Sequence, residues 1–133
     1  MSHFATLSVK IVDLSSLDKA AQKMGLEVVQ GTTVRGYQGQ TTQADKVYQV
    51  GELHGRIYDV GAVKTKEKEG KEPAIYGLVT DQWAVNQITP NLVGKLVQEY
   101  NYQRAKKTAN LLGHQLIREE LPDGSSQVRI KQC

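Results

Sequence analysis

Only one cysteine occurs in the 133 residues, and it is the last of them, Cys133. No disulfide framework can form within such a chain, and a lone thiol cannot build a thiolate metal site. A reducing compartment is the expected setting. Aromatic residues make up 6% of the chain, with a single Trp and a single Phe. That is thin for a surface devoted to stacking bases. No run approaches the roughly 20 apolar residues of a membrane-spanning helix, so no membrane partner is expected. Dense blocks of one charge are also missing. The net charge of +3 and pI near 9.0 permit an anionic partner without demanding one. Met1-Ser2-His3-Phe4 leads directly into an alternating pattern, with neither the basic start nor the apolar core of a secretory leader. A cytoplasmic location follows, or the plastid stroma for a plastid-encoded chain.

Signatures of catalysis are equally sparse. No Gly-x-Ser-x-Gly elbow and no legible Cys/His pairing is present. His3, His54 and His114 are scattered rather than spaced as metal ligands. Adjacent carboxylates Glu119 and Glu120 would point to opposite faces of a strand and could not share a proton or metal. The glycine-rich segment 31–40 contains Arg35, but lacks the Gly-Lys-Ser/Thr that opens a phosphate-cradling helix; a turn or bulge explains it better. No catalytic, cofactor-binding or metal-binding residue is assigned.

What the chain does contain is a repeated local pattern. Segments 20–29 and 108–117 align without a gap. Each is an apolar helical turn, then a glycine suited to a left-handed cap, then an extended apolar run. In the first strand, 4–12, Ala5, Leu7, Val9 and Ile11 share a face. Asp13 or Ser15 can cap a helix with Leu17, Ala20, Ala21 and Met24 as its apolar stripe, and Gly25 ends it. Short β-prone runs follow at 47–50, 56–60 and 74–79. The mixed-charge stretch 64–73 reads as a solvated hairpin tip. Asp81-Gln82-Trp83-Ala84-Val85 reads as strand or strand end. Thr89-Pro90 reads as the start of the longest helix, with a stripe through Val93, Leu96, Val97 and Tyr100 continuing to Leu111 or Leu112. Turn residues 121–125 separate two closing strands.

These elements predict an α+β fold: a ferredoxin-like split β-α-β plait, an antiparallel sheet with two helices on one face. One domain spans 1–133, comprising a first β-α-β unit (1–30), a β-rich insertion (31–73), and a second unit with a terminal hairpin (74–133). The open face of such a sheet offers two uses. It can take a protein partner by strand addition or sheet-to-sheet dimerisation, including a second copy of the chain. It can also stack single-stranded RNA on tyrosines, with Tyr48 and Tyr58 foremost and Tyr37, Tyr76, Arg56 and Arg129 nearby. No run matches the aromatic motif of RNA-recognition modules.

Several segments resemble a known family. The opening Met-Ser-His-Phe, the helix end at Met24-Gly25-Leu26, and Val34-Arg35-Gly36-Tyr37-Gln38-Gly39-Gln40 carry the likeness. Tyr58-Asp59-Val60-Gly61 and Leu78-Val79-Thr80-Asp81-Gln82-Trp83 extend it. The chain is similar to the hypothetical chloroplast frame thirty-five family (domain of unknown function twelve fifty-seven), found in cyanobacteria, plastids and other bacteria. The resemblance implies an accessory protein and supplies no catalytic residue. It also implies structural roles for Phe4 as a core anchor, Gly36 and Gly39 as turn glycines, and Trp83 as a packing centre. The competing expectation is that Arg35, Tyr37, Gln38 and Trp83 meet beside the sheet and bind a small ligand or peptide.

Overall fold

The computed structural model describes residues 4–120 and 125–132. Five strands form an antiparallel sheet: β1 (Phe4–Ile11), β2 (Glu27–Val29), β5 (Lys46–Leu53), β6 (Arg56–Lys66) and β7 (Ile75–Asp81). Their spatial order is β1-β7-β6-β5-β2. Two short hairpins stand apart from it, β3 (Thr33–Arg35) with β4 (Thr41–Gln43), and β8 (His114–Glu120) with β9 (Ser126–Gln132). The helices are α1 (Leu14–Lys23), α2 (Gln82–Ile88) and α3 (Leu92–Leu111). The fold is α+β, and none of the described helices is long and apolar enough to cross a membrane.

Period-2 alternation sorts the sheet residues onto two faces. Tyr48, Tyr58, Val60, Ala62 and Leu78 look toward the helices and form the main core with Leu17, Ala20 and Ala21 of α1, Ala84 and Val85 of α2, and Leu92, Leu96 and Tyr100 of α3. The Tyr100 hydroxyl accepts from the backbone N–H groups of Val12 and Asp13, tying α3 to the β1–α1 junction. On the opposite face Val47 and Val79 meet Val34 and Ala44, which come from the β3–β4 hairpin and its exit. The sheet is therefore covered on one side by helices and partly covered on the other by a hairpin.

Helix ends follow local chemistry closely. The Asp13 carboxylate accepts from Ser15 N and Ser16 N, and Gly25 and Gly113 take the left-handed conformations (φ 79° and 74°) anticipated for helix-ending glycines. The 64–73 stretch is exposed, as expected of a hairpin tip.

Three expectations need correction. The segment 31–73 is no insertion: it supplies β5 and β6 at the middle of the sheet. Nor does the second unit return to the sheet. β8 pairs with β9 and packs on α3, so the plait's second crossover is replaced by a detached hairpin. A half-buried ion pair links it there, the exposed Arg118 of β8 against the buried Glu99 of α3. Finally, the 82–88 segment is helical because Asp81 Oδ1 accepts from Ala84 N (3.2 Å), an N-cap at the strand's last residue. Thr89 ends α2 rather than starting α3, and α3 begins after the left-handed Asn91. Its stripe continues through Glu99, Gln103 and Ala109 instead of reaching Leu111 and Leu112, which are exposed.

Candidate functional site

On the hairpin face, one row of side chains runs across four strands near the end where β7 stops. Gln49 of β5 lies opposite Asp59 of β6, and Asp81 of β7 lies opposite Phe4 of β1. Asp59 and Asp81 each lie one residue beyond the paired Val60 and Thr80, toward this end of the sheet. Asp59 is fully buried, and a buried carboxylate needs a partner. Arg35 of β3 supplies it. Its Nε donates to Asp59 Oδ2 (2.7 Å), its Nη2 to Oδ1 (2.9 Å), and its backbone N–H to Oδ2 (2.9 Å). Nη2 also reaches Gln49 Oε1 at 3.3 Å. The Asp59 carboxylate raises the Arg35 pKa above its ordinary value, chiefly through these hydrogen bonds.

Beyond Arg35 the chain bends back over the sheet. Gly36 is extended, yet a Cβ there would sit 2.5 Å from Cζ of the Phe4 ring. Only a residue without a side chain lets the strand pass so close. Tyr37 to Gln40 then closes as a turn, with Gln40 N donating to Tyr37 O (3.0 Å), and Gln38 and Gly39 both left-handed (φ 53° and 76°). Those are the dihedrals of a type I′ turn. The loop between β5 and β6 repeats the geometry: His54 and Gly55 have φ 51° and 79° between paired Leu53 and Arg56. The two turns touch, since Gly39 lies against Arg56 Nη1.

Trp83, in the first turn of α2, completes this corner. A cleft of about 290 Å³ is lined by Tyr37, Gln38, Leu53, His54, Arg56, Tyr58 and Trp83. Trp83 is 61% exposed, while Ala84 and Val85 beside it are buried and hold its helix in place. The lining offers the aromatic side chains of Tyr37, Tyr58 and Trp83, a guanidinium, an imidazole and a side-chain amide. It contains no carboxylate, serine or cysteine. Elsewhere among the described residues, no three His, Cys, Asp or Glu groups are placed to hold a metal.

Of the four residues expected to meet, the structure brings together Tyr37, Gln38 and Trp83. Arg35 stays apart, engaged with Asp59. Trp83 does not act as a packing centre, because the Asp81 cap sets α2 so that its ring faces outward. Tyr48 and Tyr58 are not available as base-stacking platforms: they are 0% and 4% exposed. Both lie on the helix-covered face, and the Tyr48 hydroxyl donates to Asp18 Oδ1 at 2.6 Å. Burial, with this hydrogen bond, pushes its pKa above the ordinary tyrosine value. The sequence placed Arg56 only on an RNA-binding sheet face and weighed His54 only as a metal ligand; it gave no sign that these two and Leu53 line this cleft. A signal for the turn alone was present in the dipeptide His54-Gly55 between two β-prone runs, the length and composition of a two-residue hairpin loop.

Residues 20–129 match the sequence model of the family described as "Protein of unknown function (DUF1257)". No curated protein and no solved structure matches the chain.

Proposed function

We propose that this chain, which belongs to the DUF1257 family, is a non-enzymatic protein-interaction module. Its contact point is the cleft between the two type I′ turns and Trp83. The observation that carries this reading is the outward setting of the only Trp on a helix whose neighbouring residues are buried. Rigidly supported aromatic residues beside an Arg are the usual anchors of protein interfaces. Gln38 and His54 add to it: both hold left-handed conformations, which non-glycine residues adopt at a cost, on the rim of the same cleft.

The lining defines what a partner must present. An apolar side chain would lie against Trp83 and Tyr37, with Leu53 and Tyr58 beneath. A neighbouring carboxylate or carbonyl would meet Arg56, and Gln38 and His54 would bond the partner's backbone. The lining has no serine, threonine, cysteine, lysine or carboxylate, and so no nucleophile paired with a carboxylate-oriented base, which favours binding over bond-breaking chemistry.

Selection of displayed random peptides against the full chain tests this reading. Selected peptides should carry an apolar residue next to an acidic one, shift the Trp83 fluorescence to the blue on binding, and weaken at least tenfold with Trp83→Ala. Peptides that bind Trp83→Ala as tightly as the wild type would overturn it.

A further inference from the structure

A second surface lies away from this cleft, in the groove between α1 and α3. It encloses about 560 Å³ and is lined by Lys19, Gln22 and Lys23 of α1 and by Gln103, Lys106, Lys107, Asn110 and Leu111 of α3. Four lysines converge on one concavity with no carboxylate in its walls. Lys107 is held by Asp13, with Nζ 3.0 Å from Oδ2. Among the described residues, Lys19, Lys23 and Lys106 take part in no ion pair. Bringing several uncompensated cations together is unfavourable unless an anion joins them.

We infer that this groove binds the sugar–phosphate backbone of single-stranded RNA. The cations are all lysines. An ammonium is a compact point charge that can meet a phosphate oxygen from any side, without the fixed fork geometry of arginine. Leu111 is the one large apolar side chain in the lining, so a partner helix or peptide would find little to anchor it. The exposed amides of Gln22 and Asn110 can both donate to and accept from a ribose 2′-hydroxyl, the group that separates RNA from DNA. No aromatic ring lines the groove, so recognition follows the backbone and ignores base identity. The expected RNA surface thus moves from the sheet tyrosines, which are buried, to the opposite side of the helices.

Anisotropy of a fluorescent 12-nucleotide oligouridylate with the full chain provides the test. With three lysines neutralising phosphates, raising salt from 50 to 200 mM should weaken binding about 20-fold. Combining Lys19→Gln, Lys23→Gln and Lys106→Gln should flatten this salt dependence and lower affinity at least tenfold. The unfolding midpoint should not fall, since none of the three is paired and their mutual repulsion is relieved. Trp83→Ala should bind the oligonucleotide normally, which separates this surface from the peptide cleft. An absence of binding at 50 mM salt would overturn the inference, as would affinity unchanged in the triple variant. Equal affinity for oligothymidylate would remove the RNA assignment. Stronger binding to polyglutamate, or to vesicles of phosphatidylserine and phosphatidylcholine, would reassign the groove to an acidic protein or a membrane surface.

Discussion

Arg35 and Asp59 form a two-pronged ion pair across the back of the sheet, one partner 41% exposed and the other wholly buried at the side chain. This asymmetry decides what each substitution does. Arg35→Ala leaves Asp59 as an uncompensated buried charge, and is expected to cost about 3 kcal/mol, toward the low end for broken buried pairs because the guanidinium is partly solvated. Arg35→Lys should recover only part, since an ammonium cannot span both oxygens. Urea unfolding midpoints of the three proteins measure this. A loss below about 0.5 kcal/mol in Arg35→Ala would show that the hairpin is not held by the pair.

Gly36 and Gly25 should respond to alanine for different reasons. At Gly36 the backbone is extended and the obstacle is the Phe4 ring, so Gly36→Ala should destabilise by about 1–3 kcal/mol through overpacking. Combining it with Phe4→Leu should cost less than the sum of the two single changes. Gly25 has open space around it but φ of +79°, so Gly25→Ala should cost about 1–2 kcal/mol from backbone strain alone. Phe4→Leu should leave that cost unchanged.

The two left-handed turn residues offer a stability–function trade. Gln38→Gly and His54→Asn put residues that tolerate positive φ at positions now occupied by Gln and His. Each should raise stability by about 0.5–1 kcal/mol in thermal unfolding, while weakening any peptide that binds the Trp83 cleft. A gain in stability with no loss of peptide affinity would show that these side chains take no part in recognition.

Asp13 and Tyr48 each make the stability of the fold depend on pH. Burial acts against the Asp13 charge, but hydrogen bonds from Ser15, Lys107 and Ser16 outweigh it and hold this carboxyl well below the usual range. Its contribution is complete above about pH 4, the unfolded value, and is lost as pH falls toward the folded one. Tyr48 behaves in the opposite sense. Its pKa is raised, by burial first and by Asp18 second, so its contribution is complete below about pH 10 and is lost as pH rises beyond it. Asp13→Asn should flatten the acid arm of a stability–pH curve, and Tyr48→Phe the alkaline arm. An unchanged curve in either variant would contradict the assignment.

Much of the local structure was legible in the residues. A cap for α1 at Asp13 or Ser15, Gly25 and Gly113 ending helices, and the β-prone runs 47–50, 56–60 and 74–79 all depend on groups within a few positions of one another. The helix after Asp81 was hidden because an Asp cap at the end of an apolar strand looks, in one dimension, like more strand. The expected meeting of Tyr37, Gln38 and Trp83 was drawn from a resemblance, and their separation of more than 40 positions gave no local means of testing it.

By itself, then, the sequence determined the α+β class, the helix ends, and the absence of a legible catalytic motif, because caps, periodicity and composition act over short range. The tertiary structure alone decided that β5 and β6 take the centre of the sheet and that β8 leaves it. Likewise, it sent Arg35 to Asp59 rather than to a ligand, buried Tyr48 and exposed Trp83. Each of these outcomes depends on which distant segments cover which face, and burial of apolar surface and pairing of a buried charge are settled only when those segments meet.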